Sequence, residues 1–267
     1  MAKLALDEMY LNALPRLTQE HVKLHRFSGV HWVNVPPLAH LGWCLEEDTW
    51  RAAMRLRLGI IVSANVRNCP FCSQRVRMDK LGHHALECAA TGSLIIRHNR
   101  IRDFVASAGQ WVGCRYKIEF RADPDTRQRQ GDVALWGLIE PQTALIDVAI
   151  ISAFARSHRV TILRRGAGRA ATAYEDTKRR NYRLLNRAQW RLFCFIVEST
   201  GAFSREAKEV IELIRKRDEE RNIRRSSPTS RYSGIDKFVN SAPFLPAPVR
   251  SPPASPPHVR WAADDQG

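Results

Sequence analysis

The sequence predicts an α+β fold, in which a small mixed sheet is flanked by helices and preceded by a zinc knuckle and a helical linker. The chain has 267 residues, of which 44% are hydrophobic, so it can bury a sizeable core. Between residues 94 and 225 the predicted elements follow the order helix, strand, strand, strand, helix, strand, helix. This order favours a sheet with helices packed on it.

The first predicted unit is a helical linker region at residues 1–64. Within it, Glu46–Leu58 carries Trp50, Met54 and Leu58 at fourfold spacing, which predicts an amphipathic helix that ends at Gly59. The linker tryptophans are expected to pack in the core, and they are Trp32, Trp43 and Trp50. No run in the chain approaches the ~18 apolar residues of a spanning helix, and the first residues lack the pattern of a secretory signal. We therefore expect no membrane partner.

Residues 93–225 form the predicted core. A helix at Leu94–Ala108 is expected to end at Gly109. The near-continuous apolar run Ala144–Ile151 is typical of a strand in the buried centre of a sheet. The other predicted elements are strands at Tyr116–Phe120, Asp132–Trp136 and Arg191–Glu198 and helices at Ala167–Arg191 and Arg205–Arg225. Residues 226–267 hold eight of the 14 prolines, which predicts a disordered Pro/Ser/Arg tail.

A cluster of cysteines and histidines lies at residues 65–92. Cys69 and Cys72 are two residues apart, and a histidine followed by Cys88 comes after them, which is a spacing that suits a tetrahedral Zn²⁺ site. His84 leaves three residues before Cys88 and His83 leaves four; we favour His84, but spacing alone leaves both open. Four protein ligands would make the zinc structural, and such a site favours a reducing compartment over a disulfide framework.

The charge of the chain predicts a polyanionic partner. Lys and Arg number 42 against 27 acids, for a formal net charge of +15. Residues 156–191 contain eleven Lys or Arg and only two acids, Glu175 and Asp176. Because a neutral solvated face would intersperse the two signs, this block indicates nucleic-acid binding.

Two aspartates lie in predicted strands. Asp132 begins one apolar strand and Asp147 interrupts the next, where an unpaired carboxylate is costly. The pair could hold Mg²⁺, which favours carboxylates, water and phosphate and promotes phosphodiester hydrolysis. Alternatively, Asp132 is a turn residue and Asp147 pairs with a helix arginine, and spacing alone does not separate these two hypotheses.

From Cys69 to Val197 the chain resembles the restriction-like, PD-(D/E)XK-type endonuclease region of non-LTR retroelement polyproteins, which carries a CCHC knuckle. The matching segments are Cys69–Cys72 (CPFC), Gly82–Cys88 (GHHALEC), Arg97–Asn99 (RHN), Gly131–Val133 (GDV), Ile146–Val148 (IDV) and Lys178–Tyr182 (KRRNY). Upstream, Trp32–Pro36 (WVNVP) and Arg55–Gly59 (RLRLG) resemble the family's linker. The resemblance spans about 170 residues, and the order of the motifs carries it.

The resemblance implies a catalytic site of Asp132, Asp147 and Lys178. Asp132 and Asp147 take the places of the family's two strand acids, and Lys178 on a helix replaces the usual lysine, because position 149 is Ala. The residues before Asp132 lack the family's usual proline. A further acid is expected, and Asp103 and Glu119 remain alternatives. The implied nucleic-acid contacts are Arg97, His98, Arg179 and Arg180, and the implied metal ligands are Cys69, Cys72, His84 and Cys88.

Together these features predict a Mg²⁺-dependent DNA endonuclease that nicks its substrate and acts in the nucleus. A reverse-transcriptase domain of a parent polyprotein is an expected partner, since the chain itself has no polymerase signature. The alternative hypotheses are a catalytically inactive nucleic-acid-binding protein of the same origin and a zinc-stabilised protein-interaction module. The carboxylates and Lys178 favour the nuclease, and the basic block favours either nucleic-acid function over the third.

Overall fold

Four strands form one mixed sheet in the computed structural model of the chain, which describes residues 19–21, 23–24, 46–62, 67–121, 131–182 and 189–225. The strands are β1 (Arg115–Phe120), β2 (Gly131–Trp136), β3 (Thr143–Ile151) and β4 (Trp190–Glu198). Their spatial order is β1-β2-β3-β4. The first two pairs are antiparallel, and β3 and β4 are parallel. The described part is therefore a mixed α+β structure, as the sequence predicts.

Six α-helices with defined bounds accompany the sheet in the described residues, and residues 19–21 and 23–24 are helical as well. The six are α1 (Glu47–Leu58), α2 (His83–Glu87), α3 (Ser93–Trp111), α4 (Arg156–Arg165), α5 (Arg169–Asn181) and α6 (Arg205–Arg225). The predicted bounds of α6 are confirmed, and those of α1 and the four strands differ by one residue at most. None of the helices in these ranges is both long enough and apolar enough to span a bilayer. The predicted tail at residues 226–267 lies outside the described residues, as do Trp32 and Trp43.

The predicted end of α3 is wrong, because the helix passes through Gly109 and ends at Trp111. Gly109 lies inside the helix for a packing reason. A Cβ atom at this position would lie 2.6 Å from a methyl carbon of Leu135 on β2. The glycine therefore allows α3 to approach the sheet closely, and does not terminate the helix.

The predicted basic helix Ala167–Arg191 is also wrong in its extent. The structure has two helices, α4 and α5, and α5 ends at Asn181 while β4 already begins at Trp190. Gly166 and Gly168 separate the helices with positive φ angles. Gly168 also lies close to the backbone of Phe203, because a Cβ atom at this position would be 2.5 Å from the carbonyl oxygen of Phe203.

The buried side of α1 is not the predicted one. Ala53 and Leu56 are buried, whereas Trp50 and Leu58 are 49% and 52% exposed. The core prediction for Trp50 is therefore wrong. Large side chains at fourfold spacing mark one side of a helix, but the small Ala53 allows the opposite side to approach the core more closely. Gly59 adopts the left-handed conformation after the last turn and ends the helix as predicted.

Hydrophobic clusters cover the two faces of the sheet. One cluster joins α3 and α6 to the strand side chains that point to the first face of the sheet, including Val133, Ile146 and Phe195. The other joins α4 and α5 to Ala149, Ile151 and Ile196, and also takes in Leu56 of α1 and Leu86 of α2. Because successive side chains of a strand point to opposite faces, Asp147 belongs to the face that α5 covers.

The outer edge of β4 is closed by residues that begin α6. Glu206 accepts a hydrogen bond from the Cys194 N–H at 2.7 Å, and Ser204 pairs with the backbone of Ile196. Edge strands otherwise present unpaired backbone groups that promote aggregation. These contacts fix α6 and β4 together, and α5 packs against both.

Candidate functional site

The strand pairing brings the two predicted acids together. In the antiparallel pair of β2 and β3, Val133 lies opposite Ile146. One further step of the same register places Asp132 opposite Asp147, with both side chains on the face that α5 covers. At this point Asp132 Oδ2 accepts a hydrogen bond of 2.7 Å from the Val148 N–H. The predicted pairing of the acids is thus a property of the sheet register.

Asp132 is held by a histidine from α3 as well as by the sheet. His98 Nε2 lies 3.2 Å from Asp132 Oδ2 and 3.2 Å from the Val148 carbonyl oxygen. Since both partners are acceptors, Nε2 carries the proton. Burial acts to raise the pKa of Asp132, but the hydrogen bonds from His98 and Val148 outweigh it and leave the pKa below its usual value. Asp132 is therefore ionised at neutral pH.

Asp147 is held by two side chains of the α5 region. Lys178 Nζ lies 3.1 Å from Asp147 Oδ2, and the Tyr182 hydroxyl donates a hydrogen bond of 2.8 Å to Oδ1. Burial raises the pKa of Asp147, with Lys178 and Tyr182 opposing the increase. The pKa of Lys178 is raised, because the attraction of Asp147 exceeds the effect of burial. The cation that pairs with Asp147 is therefore a lysine, where the alternative hypothesis expected an arginine.

The N-terminus of α5 is anchored to the sheet by a buried glutamate. Glu198, at the end of β4, accepts a hydrogen bond from the Ala171 N–H, and the backbones of Gly168 and Ala170 also bond to it. A carboxylate at this place satisfies N–H groups that have no partner within the helix and interacts favourably with the helix dipole. At the other end of α5, Lys178 and Tyr182 are four residues apart and face the same carboxylate.

Asp132 and Asp147 with the side chains around them form the acid site, whose two carboxylates could hold a divalent cation. Mg²⁺ in proteins is typically bound through one or two carboxylates, water and substrate phosphate. Asp147 Oδ2 is buried and its contact with Lys178 is an ion pair without an aligned hydrogen bond. A buried oxygen of this kind is a suitable ligand for a cation. Asp132 supplies a second carboxylate beside it.

The predicted zinc ligands also converge. The ligand atoms of Cys69, Cys72, His84 and Cys88 all lie within 4.8 Å of one another, so the group could hold one metal ion. Cys69 Sγ is 3.8 Å from Cys88 Sγ, and Cys72 Sγ is 3.7 Å from His84 Nε2. Burial acts to raise the pKa of Cys69, but backbone N–H groups and His84 lower it to about 6. A thiolate at neutral pH is the form that binds Zn²⁺.

One aspartate orients the histidine helix of this group. Asp79 accepts hydrogen bonds from the backbone N–H groups of Leu81, His83 and His84 at 2.9 to 3.0 Å. Burial acts to raise the pKa of Asp79, but these N–H groups lower it below its usual value. The side chain thus fixes the start of α2, from which His84 projects towards the three cysteines.

His83 faces away from the metal-binding group. Its ring stacks on Phe154 with centroids 4.0 Å apart, and it lies 3.0 Å from the ring nitrogen of His21. Burial lowers the pKa of His83 to about 4, so it is neutral at physiological pH. The two adjacent histidines therefore have different roles, and His84 is the one that can bind the metal ion.

The metal-binding group is joined to the core by contacts on both sides of α2. The Arg97 guanidinium bonds to the Leu86 carbonyl, and the Ser152 hydroxyl bonds to Glu87. Leu86 itself is buried in the cluster that lies between α5 and the sheet. The Cys/His segment is thus packed on the core, and its loss would expose part of that cluster.

The four residues predicted to contact nucleic acid have different surroundings. Arg97 is 6% exposed and bonds within the protein, so we do not retain it as a contact. His98 lies in the acid site. Arg179 bonds to the buried Glu206, whereas Arg180 is exposed. The side chain of Arg179 is nevertheless 45% exposed, so both arginines beside Lys178 are accessible from solvent.

Asp103 and Glu119, the alternatives for a third acid, both pair with Arg102 on the exposed side of α3 and β1, and we leave them out of the site. Tyr182 had no predicted role, although it ends the KRRNY segment. Its fourfold spacing from Lys178 is the sequence signal that could have indicated it.

The five described cysteines are all free thiols, which is consistent with a metal-binding role for three of them; Cys44 lies outside the described residues. A scan against models of known protein families finds no match, and a search of curated proteins finds no similar protein. The function proposed below therefore depends on the sites themselves.

Proposed function

We propose that this chain is a metal-dependent endonuclease that nicks DNA. The observation that carries the proposal is the convergence of Asp132, Asp147 and Lys178 around one point on the sheet, although Asp132 and Lys178 are 46 residues apart in the chain. A buried carboxylate and a partly buried one next to a lysine are an arrangement suited to phosphodiester hydrolysis. The sequence resemblance to retroelement nucleases supports the same reaction and a polyprotein origin.

Each side chain of the proposed site has a distinct role. Asp132 and Asp147 would hold Mg²⁺, which when bound would favour formation of hydroxide from water and neutralise charge on the phosphodiester. The Lys178 ammonium can stabilise negative charge on a phosphate oxygen. His98 keeps Asp132 oriented and ionised. The Cys/His group would hold one structural Zn²⁺ and fix α2 against the core.

The wild-type protein tests the proposal directly. With zinc retained, it is expected to convert supercoiled plasmid to nicked circles in the presence of Mg²⁺, and to leave the plasmid intact when Mg²⁺ is omitted. Omission of Mg²⁺ is preferable to a strong chelator, because a chelator would also remove zinc. A zinc-loaded protein that leaves DNA uncut with Mg²⁺ and with Mn²⁺ would contradict the nuclease proposal.

Nucleic-acid binding is expected to depend strongly on salt. Exposed arginines lie on α4 and α5, namely Arg164, Arg165, Arg169 and Arg180. If each neutralises one phosphate, the affinity for duplex DNA should fall roughly 10²-fold between ~50 and ~200 mM salt, because bound counterions are released. Fluorescence anisotropy with a labelled duplex measures this slope.

Single substitutions distinguish direct phosphate contacts by these four arginines from the effect of the overall positive charge of the protein. Each of the four changes to glutamine should reduce the slope of log affinity against log salt by about 0.9. Arg51→Gln is the matched control, because Arg51 is an exposed arginine on α1 that pairs with Glu47. A slope that the α4 and α5 variants leave at the wild-type value would remove these helices from the interface.

One observation favours an inactive binding protein as the second candidate. The acid site is neutralised by its own surroundings, since Asp132 accepts bonds from His98 and Val148 while Asp147 contacts Lys178 and Tyr182. Such a site has partners for most of its carboxylate oxygens without a cation, and Asp147 Oδ2 keeps its ion pair with Lys178. Salt-dependent binding together with absent nicking would identify this candidate.

A further inference from the structure

The phenol of Tyr182 is the contact of the acid site that the proposed catalytic roles leave unexplained. It lies at the end of α5 and is directed at a carboxylate that is only 5% exposed. Its hydroxyl is the donor in the 2.8 Å bond to Asp147 Oδ1. A tyrosine at a helix end can satisfy its hydroxyl with water, so the hydrogen bond of a partly buried Tyr182 to a buried acid indicates a role.

We propose that Tyr182 is a positioning residue, which holds Asp147 in the orientation that presents Oδ2 to a divalent cation. This inference rests on the proposed function and specifies how its site is arranged. Tyr182 occupies Oδ1, so the carboxylate cannot rotate without breaking that bond. Oδ2 then lies on the side of Lys178, where its contact is the unaligned ion pair at 3.1 Å.

The spacing of the two α5 side chains explains why the orientation is specific. Lys178 and Tyr182 are four residues apart, so they project from the same side of the helix, one turn after the other. Each contacts a different oxygen of one carboxylate. The Lys178 stem is flexible and its ammonium can move from Oδ2 to a phosphate oxygen, whereas the rigid phenol keeps its oxygen. A divalent cation can thus replace the Lys178 ammonium at Asp147 Oδ2 while the carboxylate keeps its orientation.

Binding of Mn²⁺ to the zinc-loaded full chain tests this role without relying on cleavage. Electron paramagnetic resonance of free Mn²⁺ measures the affinity. Tyr182→Phe retains the ring and removes the hydroxyl, and it is expected to weaken Mn²⁺ binding by about 10- to 100-fold, as loss of a partner behind a metal ligand does. The kcat for nicking should fall with it, while the KM for DNA stays near the wild-type value.

Two controls define the site at which Mn²⁺ is measured. Asp132→Asn should remove the Mn²⁺ binding that Tyr182→Phe weakens, which places the ion at the acid pair. Tyr116→Phe removes a hydroxyl from a partly exposed tyrosine on β1 and should bind Mn²⁺ as the wild type does. If Tyr182→Phe does not fold, Tyr182→Met fills a similar volume without a hydroxyl and carries the same expectation.

The outcomes separate this inference from the proposed function. Wild-type Mn²⁺ affinity in the folded Tyr182 variants would overturn the positioning role, even in a protein that nicks DNA. Mn²⁺ binding that is absent, or that Asp132→Asn leaves intact, would overturn it as well. A protein that binds Mn²⁺ in the expected Tyr182-dependent way but cuts no DNA supports the positioning role and contradicts the nuclease.

Discussion

Asp132→Asn and Asp147→Asn are each expected to reduce the rate of DNA nicking by at least about 10²-fold. Loss of a residue that merely supports a metal ligand costs 10- to 100-fold, so loss of the ligand itself should cost no less. Asparagine has the shape of aspartate without the charge. Its side-chain oxygen can still accept a hydrogen bond from one of the donors around each position. The measurement is the initial rate of conversion of supercoiled plasmid to nicked circles at saturating Mg²⁺.

Binding should survive these substitutions, because the exposed arginines lie on α4 and α5 and not in the acid pair. Anisotropy at fixed salt should therefore give each variant a DNA affinity close to that of the wild type. Asp103→Asn is the matched control, since Asp103 is an exposed acid on α3 that pairs with Arg102. Full nicking activity in either the Asp132 or the Asp147 variant would show that the acid pair is not the catalytic site.

Lys178 provides a less direct test of the same site. Its removal leaves Asp147 buried without the cation that compensates it, and breaking a buried ion pair from one side is strongly destabilising. A loss of nicking activity in Lys178→Met could thus result from lower stability of the fold as well as from loss of the catalytic ammonium. Asp132→Asn avoids this difficulty, because it leaves the ion pair of Lys178 and Asp147 intact. Asp147→Asn breaks that pair from the other side, but the Lys178 side chain is 23% exposed and its flexible stem allows the ammonium to reach water.

The strands and the acid pair were predictable because an apolar run, and an acid within it, are local features of the sequence. The apolar run of β3 and the isolated Asp147 within it are visible without any tertiary information. To pair Asp147 with Asp132, the prediction needed only that the two strands be neighbours. The observed register then places the two aspartates opposite each other. Ligand spacing favoured His84 but left His83 open, and the structure separates them because His83 stacks on Phe154 while His84 lies with the three cysteines.

The errors arise where a distant element decides the outcome. Gly109 lies within α3 because Leu135 of β2 packs on it, and no signal near Gly109 carries that information. Ala53 is buried while Trp50 is exposed for the same reason, since packing partners determine which side of a helix is covered. Arg97 looks like a phosphate contact in the sequence, but its guanidinium bonds to a carbonyl of α2.

Removal of the metal ligand Cys72 is expected to abolish zinc binding and to destabilise the chain. Metal analysis of the purified wild type should give about one zinc per chain, and Cys72→Ser should give a ratio near zero. Structural zinc sites contribute apparent binding free energies of about 10 kcal/mol or more, which is comparable to the whole stability of a domain. The melting temperature should therefore fall markedly, and chelation of the wild type should have the same effect.

The loss of stability should extend beyond the Cys/His segment, because Leu86 of α2 is part of the core. Leu86 is buried among residues of β3, β4 and α5, and Arg97 ties its carbonyl to the helix that also carries His98. Exposure of Leu86 alone costs about 1.5 to 3 kcal/mol. Hydrogen exchange of α3 should therefore increase in Cys72→Ser, although α3 contains none of the four ligands.

The two adjacent histidines and a distant cysteine serve as controls for the zinc experiment. His84→Ala should lose zinc, whereas His83→Ala should retain it, since His83 stacks on Phe154 and lies outside the group of four. Cys114→Ala, which changes a buried cysteine outside the group, should also retain one zinc. Zinc content that follows His83 and not His84, or that Cys72→Ser leaves unchanged, would contradict this ligand set. Retained zinc with a lowered melting temperature in His83→Ala would instead measure the packing of α2 on the core.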